Sequence, residues 1–265
     1  MIKFNKKHLI SAIAVSVLCL SSPANAFLDA SVPHHTMSAQ AEKTLGTVMA
    51  SGQRSDRHKQ RDKYRHPVQT LKFTGLEPHM TVAEIWPGGQ GGWYRSILEP
   101  FLEDKGHYIP VTKKTGFPAV VKDLPYGGVD MVMVFRAHGF IMYDDPAQAH
   151  INAIFSMLKP GGIMTIVDHA GDESIPQDPK GENGYINESH FRAIAAKAGF
   201  KLLAESDINR NPKDSKNHPR GVWSLPPTLS GSLPFTDKRA KFIEIGESDR
   251  FTLKYYNPNK HPAQL

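Results

Sequence analysis

Thr81-Val82-Ala83-Glu84-Ile85-Trp86-Pro87-Gly88-Gly89-Gln90-Gly91-Gly92-Trp93-Tyr94 is the stretch whose reading decides the fold. Its first six residues are apolar and β-rich, bounded by Pro78 and by Pro87-Gly88, the pattern of a strand. The stretch runs on into Trp93, Ile97, Leu98 and Phe101, spaced to share one side of a helix over Trp93–Leu102. Four glycines between strand and helix let the backbone turn tightly and approach a ligand. The helix N-terminus beyond them offers free N–H groups and a partial positive charge, a fit for a carboxylate or phosphate. Glu84, at the strand end, can hold an amine or hydroxyl of the same ligand. Tight structural turns use glycine as well, so this stretch alone leaves cofactor binding and a plain turn both open.

The pattern continues outward. His107–Thr112 reads as a second strand after Gly106. Val129–Phe135 and Ile163–Val167 are nearly unbroken apolar runs, as in strands buried on both faces of a parallel sheet. Ala147–Leu158 and Asn187–Ala198 read as helices, the second with Phe191, Ile194 and Ala195 inward and Gly199 at its end. Phe200–Ser206 and Arg250–Tyr256 complete the strands. This alternation predicts an α/β, doubly wound, mostly parallel sheet over residues 67–258, with a long loop insertion before the last strand. That insertion, Asn209–Glu247, is rich in Pro, Asn, Ser and Gly and reads as lid-like. Residues 27–66 form a helical lead-in: a short helix near Ala39–Met49, then a polar helix over 51–66 stopped by Pro67. Val68–Phe73 continues as a short helix, and residues 259–265 are a tail.

Residues 1–26 are a different object. Lys3, Lys6 and Lys7 precede the apolar run Leu9–Leu20, and Ala24-Asn25-Ala26 supplies small residues for cleavage after Ala26. This is a secretory signal; the run is too short to span a bilayer. The mature chain is expected to be periplasmic or secreted, with no membrane attachment after cleavage. Cys19, the only cysteine, lies in the signal, so the mature chain has no thiol for a disulfide, a zinc site or a nucleophile. The full chain of 265 residues carries +6, and removing the three signal lysines leaves +3. The run Arg54, Arg57, His58, Lys59, Arg61, Lys63, Arg65, His66 is interrupted by Asp56 and Asp62. It reads as a solvated helix face and predicts no nucleic-acid partner.

His138, Asp168 and His169 end two strands expected to be neighbours. Imidazole and carboxylate together can act as a general base or within an open metal site; capping of the strand ends is the alternative. No metal is assigned. In the late region Tyr185, Asn209 and Asp214 suit substrate contact, whereas Trp223 and Leu225 suit plugging of the insertion onto the core.

Several motifs in this order resemble a family of exported bacterial methyltransferases with the class I S-adenosylmethionine-dependent fold. They are Asp62–Pro67 (DKYRHP), Glu84–Tyr94, Asp130–His138 (DMVMVFRAH), Leu158–Gly162 (LKPGG) with Val167–His169, Gly184–Ile186 with Ala198–Phe200, Asn211–Asp214, Gly221–Trp223 and Gly246–Arg250. The resemblance covers roughly residues 68–257. It implies a Rossmann-like domain binding S-adenosyl-L-methionine, with Glu84, Gly88, Gly89, Gly91 and Gly92 around its methionine part. It also implies that Phe135, Arg136 and His138 face the transferred methyl. The chain departs from the family in three ways. Gln90 splits the glycines, the second βα unit between Gly106 and Asp130 is shortened, and Thr112, Lys113 and Lys114 stand where a ribose-binding acid is usual.

The leading expectation is a methyltransferase acting on a small-molecule acceptor. Its rivals are a binding module that keeps the fold without catalysis, and a periplasmic hydrolase or metal-assisted enzyme built on His138, Asp168 and His169.

Overall fold

A computed structural model of the chain describes residues 35–88, 92–119, 121, 124–136 and 147–259. The expected signal over 1–26 lies outside the described residues, as do Gly89, Gln90, Gly91 and His138.

Helix α1 (Ala39–Ala50) starts where the Ser38 hydroxyl accepts the Ala41 N–H at 3.2 Å and buries Ala41, Leu45 and Val48 along one stripe. The expected polar helix over 51–66 is instead two single turns, α2 (Asp56–Lys59) and α3 (Asp62–Arg65), and His66 in the left-handed region breaks the chain before α4 (Pro67–Thr74). Strand β1 (Thr81–Ile85) follows, then α5 (Arg95–Leu102) and β2 (His107–Val111). Between β2 and β3 (Val129–Phe135) the described residues hold one 3-10 turn, Lys113–Thr115, in agreement with a shortened second unit. Helix α6 (Ala147–Met157), β4 (Leu158–His169), α7 (Glu188–Lys197), β5 (Lys201–Ser206), α8 (Asp237–Ile245) and β6 (Arg250–Tyr256) complete the order.

The six strands form one sheet, β2-β1-β3-β4-β6-β5. Strands β2, β1, β3 and β4 are parallel, and β6 runs antiparallel between β4 and β5. Successive side chains of β3 go to opposite faces. Val132 and Val134 meet Ile151 and Ile154 of α6 and Phe191 of α7. Met131 and Met133 meet Leu45 of α1, Leu71 of α4 and Ile97 and Leu98 of α5. Helices therefore cover both faces, which explains why β3 and β4 read as continuous apolar runs. The fold is the doubly wound, mostly parallel α/β sheet expected.

One expectation needs correction. The basic run is a solvated face only in part: Arg57, Lys59 and Lys63 are exposed, but Arg54 and Arg65 are each only 2% exposed. Arg54 makes two bonds to Asp62, at 2.8 and 2.7 Å, and both guanidiniums lie over the Trp93 ring, 5.3 and 4.9 Å from its centre. Helical periodicity could not reveal this, because the break at α2–α3 turns these residues inward. The 209–247 segment, expected to be lid-like, has regular structure of its own. It contains α8, capped by Thr236, and a 3-10 turn at Gly221–Ser224, and Asn211 Nδ2 ties it down by donating to the carbonyls of Ile245 and Glu247.

Candidate functional site

From β1 the chain crosses to β2 on one side and returns to β3 on the other, so the carboxyl ends of β1 and β3 form the topological switch point of the sheet, where open α/β folds receive ligands. Past β1, Trp86 (φ 50°) and Gly88 (φ 87°) both take left-handed backbone, as does Gly92 (φ 68°). The two described glycines serve different ends. A Cβ on Gly92 would lie 2.6 Å from the Pro87 carbonyl oxygen, so this glycine closes the turn. A Cβ on Gly88 would meet nothing within 4 Å, because it faces a hollow of about 280 Å³ lined by Arg57, His58, Arg61, Pro87, Trp93 and Arg136.

Glu84 sits under this turn, 2% exposed, and accepts a hydrogen bond from the Tyr108 hydroxyl at 2.6 Å. Burial raises its carboxyl pKa to about 7, against the opposing pull of the Tyr108 bond and of Arg136. Both functional sites and structural networks shift buried acids in this way.

Arg136 ends β3 in the left-handed region, its N–H donating to the Val167 carbonyl at 2.7 Å. It lines the Gly88 hollow and also a second one of about 120 Å³, shared with Arg61, His169, Val222, Trp223, Thr228, Ser248 and Arg250. Glu247 is the carboxylate at the base of this arginine group. It accepts from Arg61 Nε at 2.5 Å, from Arg65 Nε at 3.0 Å and from Arg250 Nη2. Burial would raise the Glu247 pKa, but Arg250, Arg65 and Arg61 outweigh it and hold the carboxyl far below the usual range. Burial, with Arg250 next, pushes Arg136 down to about 10.

The structure sorts the other expected residues. Phe135 is 4% exposed and packs on Tyr94, ring centres 4.1 Å apart, so it belongs to the core beneath the site instead of facing a ligand. Consecutive residues on β4, Asp168 and His169 point to opposite faces of the sheet. The Asp168 carboxylate accepts the backbone N–H of His169 at 2.8 Å, whereas the His169 Nδ1 meets the Ser248 hydroxyl and its ring borders the second hollow. Tyr185, Asn209 and Asp214 make interior ties, and Tyr185 also lines a hollow of about 380 Å³ with Asp172, Gln177 and Asn187. The Tyr185 hydroxyl donates to both oxygens of Asp214 at 3.0 Å, and Asp214 also accepts from the Asp249 N–H and shares a bond with His218. Asn209 Nδ2 donates to the hydroxyls of Thr70 and Thr252. Leu225 is fully buried and Trp223 half-buried beside it in the chain, in line with a plugging role. Among the described residues, no group of three His, Cys, Asp or Glu side chains is arranged to hold a metal ion.

No family model matches the chain, and no curated protein matches it in sequence. Solved structures do resemble it. One is an S-adenosylmethionine-dependent methyltransferase from Aquifex aeolicus, 18% identical over 63% of this chain and 93% of its own, with a TM-score of 0.44. Another is geranyl diphosphate C-methyltransferase from Streptomyces coelicolor, solved with Mg2+, geranyl diphosphate and S-adenosyl-L-homocysteine. It is 13% identical over 80% and 87% of the two chains, with a TM-score of 0.47. A third is the [4+2]-cyclase SpnF, 15% identical over 82% and 93%, with a TM-score of 0.48.

Sequence reasoning reached Glu84, Gly88, Gly92, Arg136 and His169 at this rim but missed Arg61, Arg65, Glu247, Ser248 and Arg250. Arg61 and Glu247 are 186 residues apart, and no local spacing pairs them. The usable signal was the recurrence of charge in two quoted motifs, Asp62–Pro67 and Gly246–Arg250.

Proposed function

We propose that the protein is an S-adenosylmethionine-dependent methyltransferase whose cofactor site is the rim between β1 and β3. The observation that carries this reading is the hollow at Gly88, bordered by backbone on one side and by Arg136 on the other, above the buried acid Glu84. These residues fit the amino-acid half of the cofactor: a cation for its carboxylate, an acid near its ammonium, and a glycine that leaves the backbone approachable. The ribose contact is not matched. Thr112, Lys113 and Lys114 follow β2, and on that side Trp86 packs edge-on against Phe117 and His150, at 6.2 and 5.8 Å.

The chemistry that the bound cofactor would supply is an electrophilic sulfonium methyl. The chain's own work is positioning and the exclusion of water. Arg136 and Arg61 stand between the two hollows and orient whatever enters either one. His169, aligned by Ser248, is placed to take a proton from an acceptor in the second hollow. Export across a membrane, expected from residues 1–26, belongs to the same proposal.

Thermal melts of residues 27–265 test it. S-adenosylmethionine or S-adenosylhomocysteine at one hundred times its dissociation constant should stabilise the fold by about 2.7 kcal/mol, a rise of roughly 5–11 °C. Gly88→Val should remove that rise by filling the hollow. No rise in the wild-type protein with either compound contradicts the proposal and leaves the non-catalytic binding module, which the packed Trp86 side favours.

A further inference from the structure

Four guanidiniums, those of Arg61, Arg65, Arg136 and Arg250, gather around one carboxylate, Glu247. Glu247 serves three of them, and Arg136 makes no bond to it. Nη2 of Arg61, both Nη atoms of Arg65, Nε of Arg136 and Nε of Arg250 are buried with no hydrogen-bond partner among the described residues. Arg65 and Arg250 are each only 2% exposed. Neighbouring acids are engaged elsewhere: Asp62 holds Arg54, Asp249 pairs with Lys216 and Glu84 accepts from the Tyr108 hydroxyl. Buried charge of one sign is costly unless it is paired, and forked donors match the planar oxygens of a carboxylate or phosphate.

We propose that the hollow bounded by Arg61, Arg136, Arg250, His169, Trp223 and Thr228 binds the oxyanion of a small organic ligand, a carboxylate or a phosphate ester. The hollow of about 120 Å³ holds a head group of a few heavy atoms, close to the space of about four waters. Trp223, Pro226 and Pro227 supply an apolar wall for the organic part. The role of this ligand as methyl acceptor rests on the cofactor reading above; the anion site itself does not.

Thr228 lies on the exposed lip of this hollow and does not line the Gly88 hollow, so changing it spares both the core and the cofactor side. Titration calorimetry with acetate and, separately, inorganic phosphate should give saturable binding of at least one to wild-type protein. Thr228→Glu, which brings its own carboxylate to the arginines, should weaken that binding at least about tenfold, and Thr228→Gln, of equal size, should leave it within about twofold. Which probe binds distinguishes a carboxylate ligand from a phosphate ester. Absence of saturable binding by both anions, or equal loss in the Glu and Gln variants, overturns the proposal. The same samples titrated with S-adenosylhomocysteine separate the two readings. Anion binding without S-adenosylhomocysteine binding keeps the anion site and removes the methyl-transfer reading; the reverse result removes the anion site alone.

Discussion

Trp86 and Gly88 are two residues apart, yet they open onto opposite worlds. On the Trp86 side the rim is filled: its indole meets Phe117 and His150 edge-on, and Phe117 is 2% exposed. On the Gly88 side the rim is hollow and lined with arginines. Apolar packing stabilises the first side directly. The second side costs stability, because it keeps charges away from water with fewer partners than donors. A ligand that supplied the missing partners would offset that cost, and the proposed function puts it on the Gly88 side, with the Trp86 side as scaffold.

The strongest way to break this contrast is Glu247→Ala. It strips the shared carboxylate from Arg61, Arg65 and Arg250, and an uncompensated buried charge group costs about 3–5 kcal/mol. Denaturant unfolding should show that loss, and added phosphate should restore part of it. Phe117→Ala probes the filled side. Emptying this buried site should cost about 3–4 kcal/mol by the same assay while leaving anion binding unchanged. A Phe117→Ala variant as weak in anion binding as Glu247→Ala would erase the distinction between the two sides.

A third effect is smaller and depends on pH. Glu84 keeps its proton up to about 7 in the fold, against an ordinary value of 4.5. Between those values the folded chain binds more protons than the unfolded one, so stability falls as pH rises through this window, by about 3 kcal/mol in total. The contribution is intact below pH 4.5 and gone above about pH 7. Glu84→Gln carries no such proton, so its stability should lack this decline and exceed that of the wild type at pH 8. Parallel pH profiles for the two proteins would contradict the buried-acid assignment.

The sheet was legible because β3 and β4 are covered on both faces and β1 runs into a glycine turn, all local signals. The reversed direction of β6 was not, since antiparallel pairing with β4 depends on partners far along the chain. The site was half legible. Glu84, Gly88 and Arg136 lie at strand ends, where position alone suggests a role. The partners of Tyr185, Asn209 and Asp214 were not legible, because polar residues in a loop-rich segment look exposed and only the folded chain shows their hydrogen bonds turned inward. The arginine group escaped because a broken helix, α2–α3, and a late strand, β6, bring it together across the length of the domain.

Saturation-transfer NMR of S-adenosylhomocysteine in the presence of residues 27–265 tests the contrast most directly, because it reports which end of a ligand touches the protein. Stronger transfer to the methylene protons of the amino-acid half than to the adenine ring protons is the expected result. Transfer strongest at the adenine ring, or none anywhere on the molecule, would contradict the account.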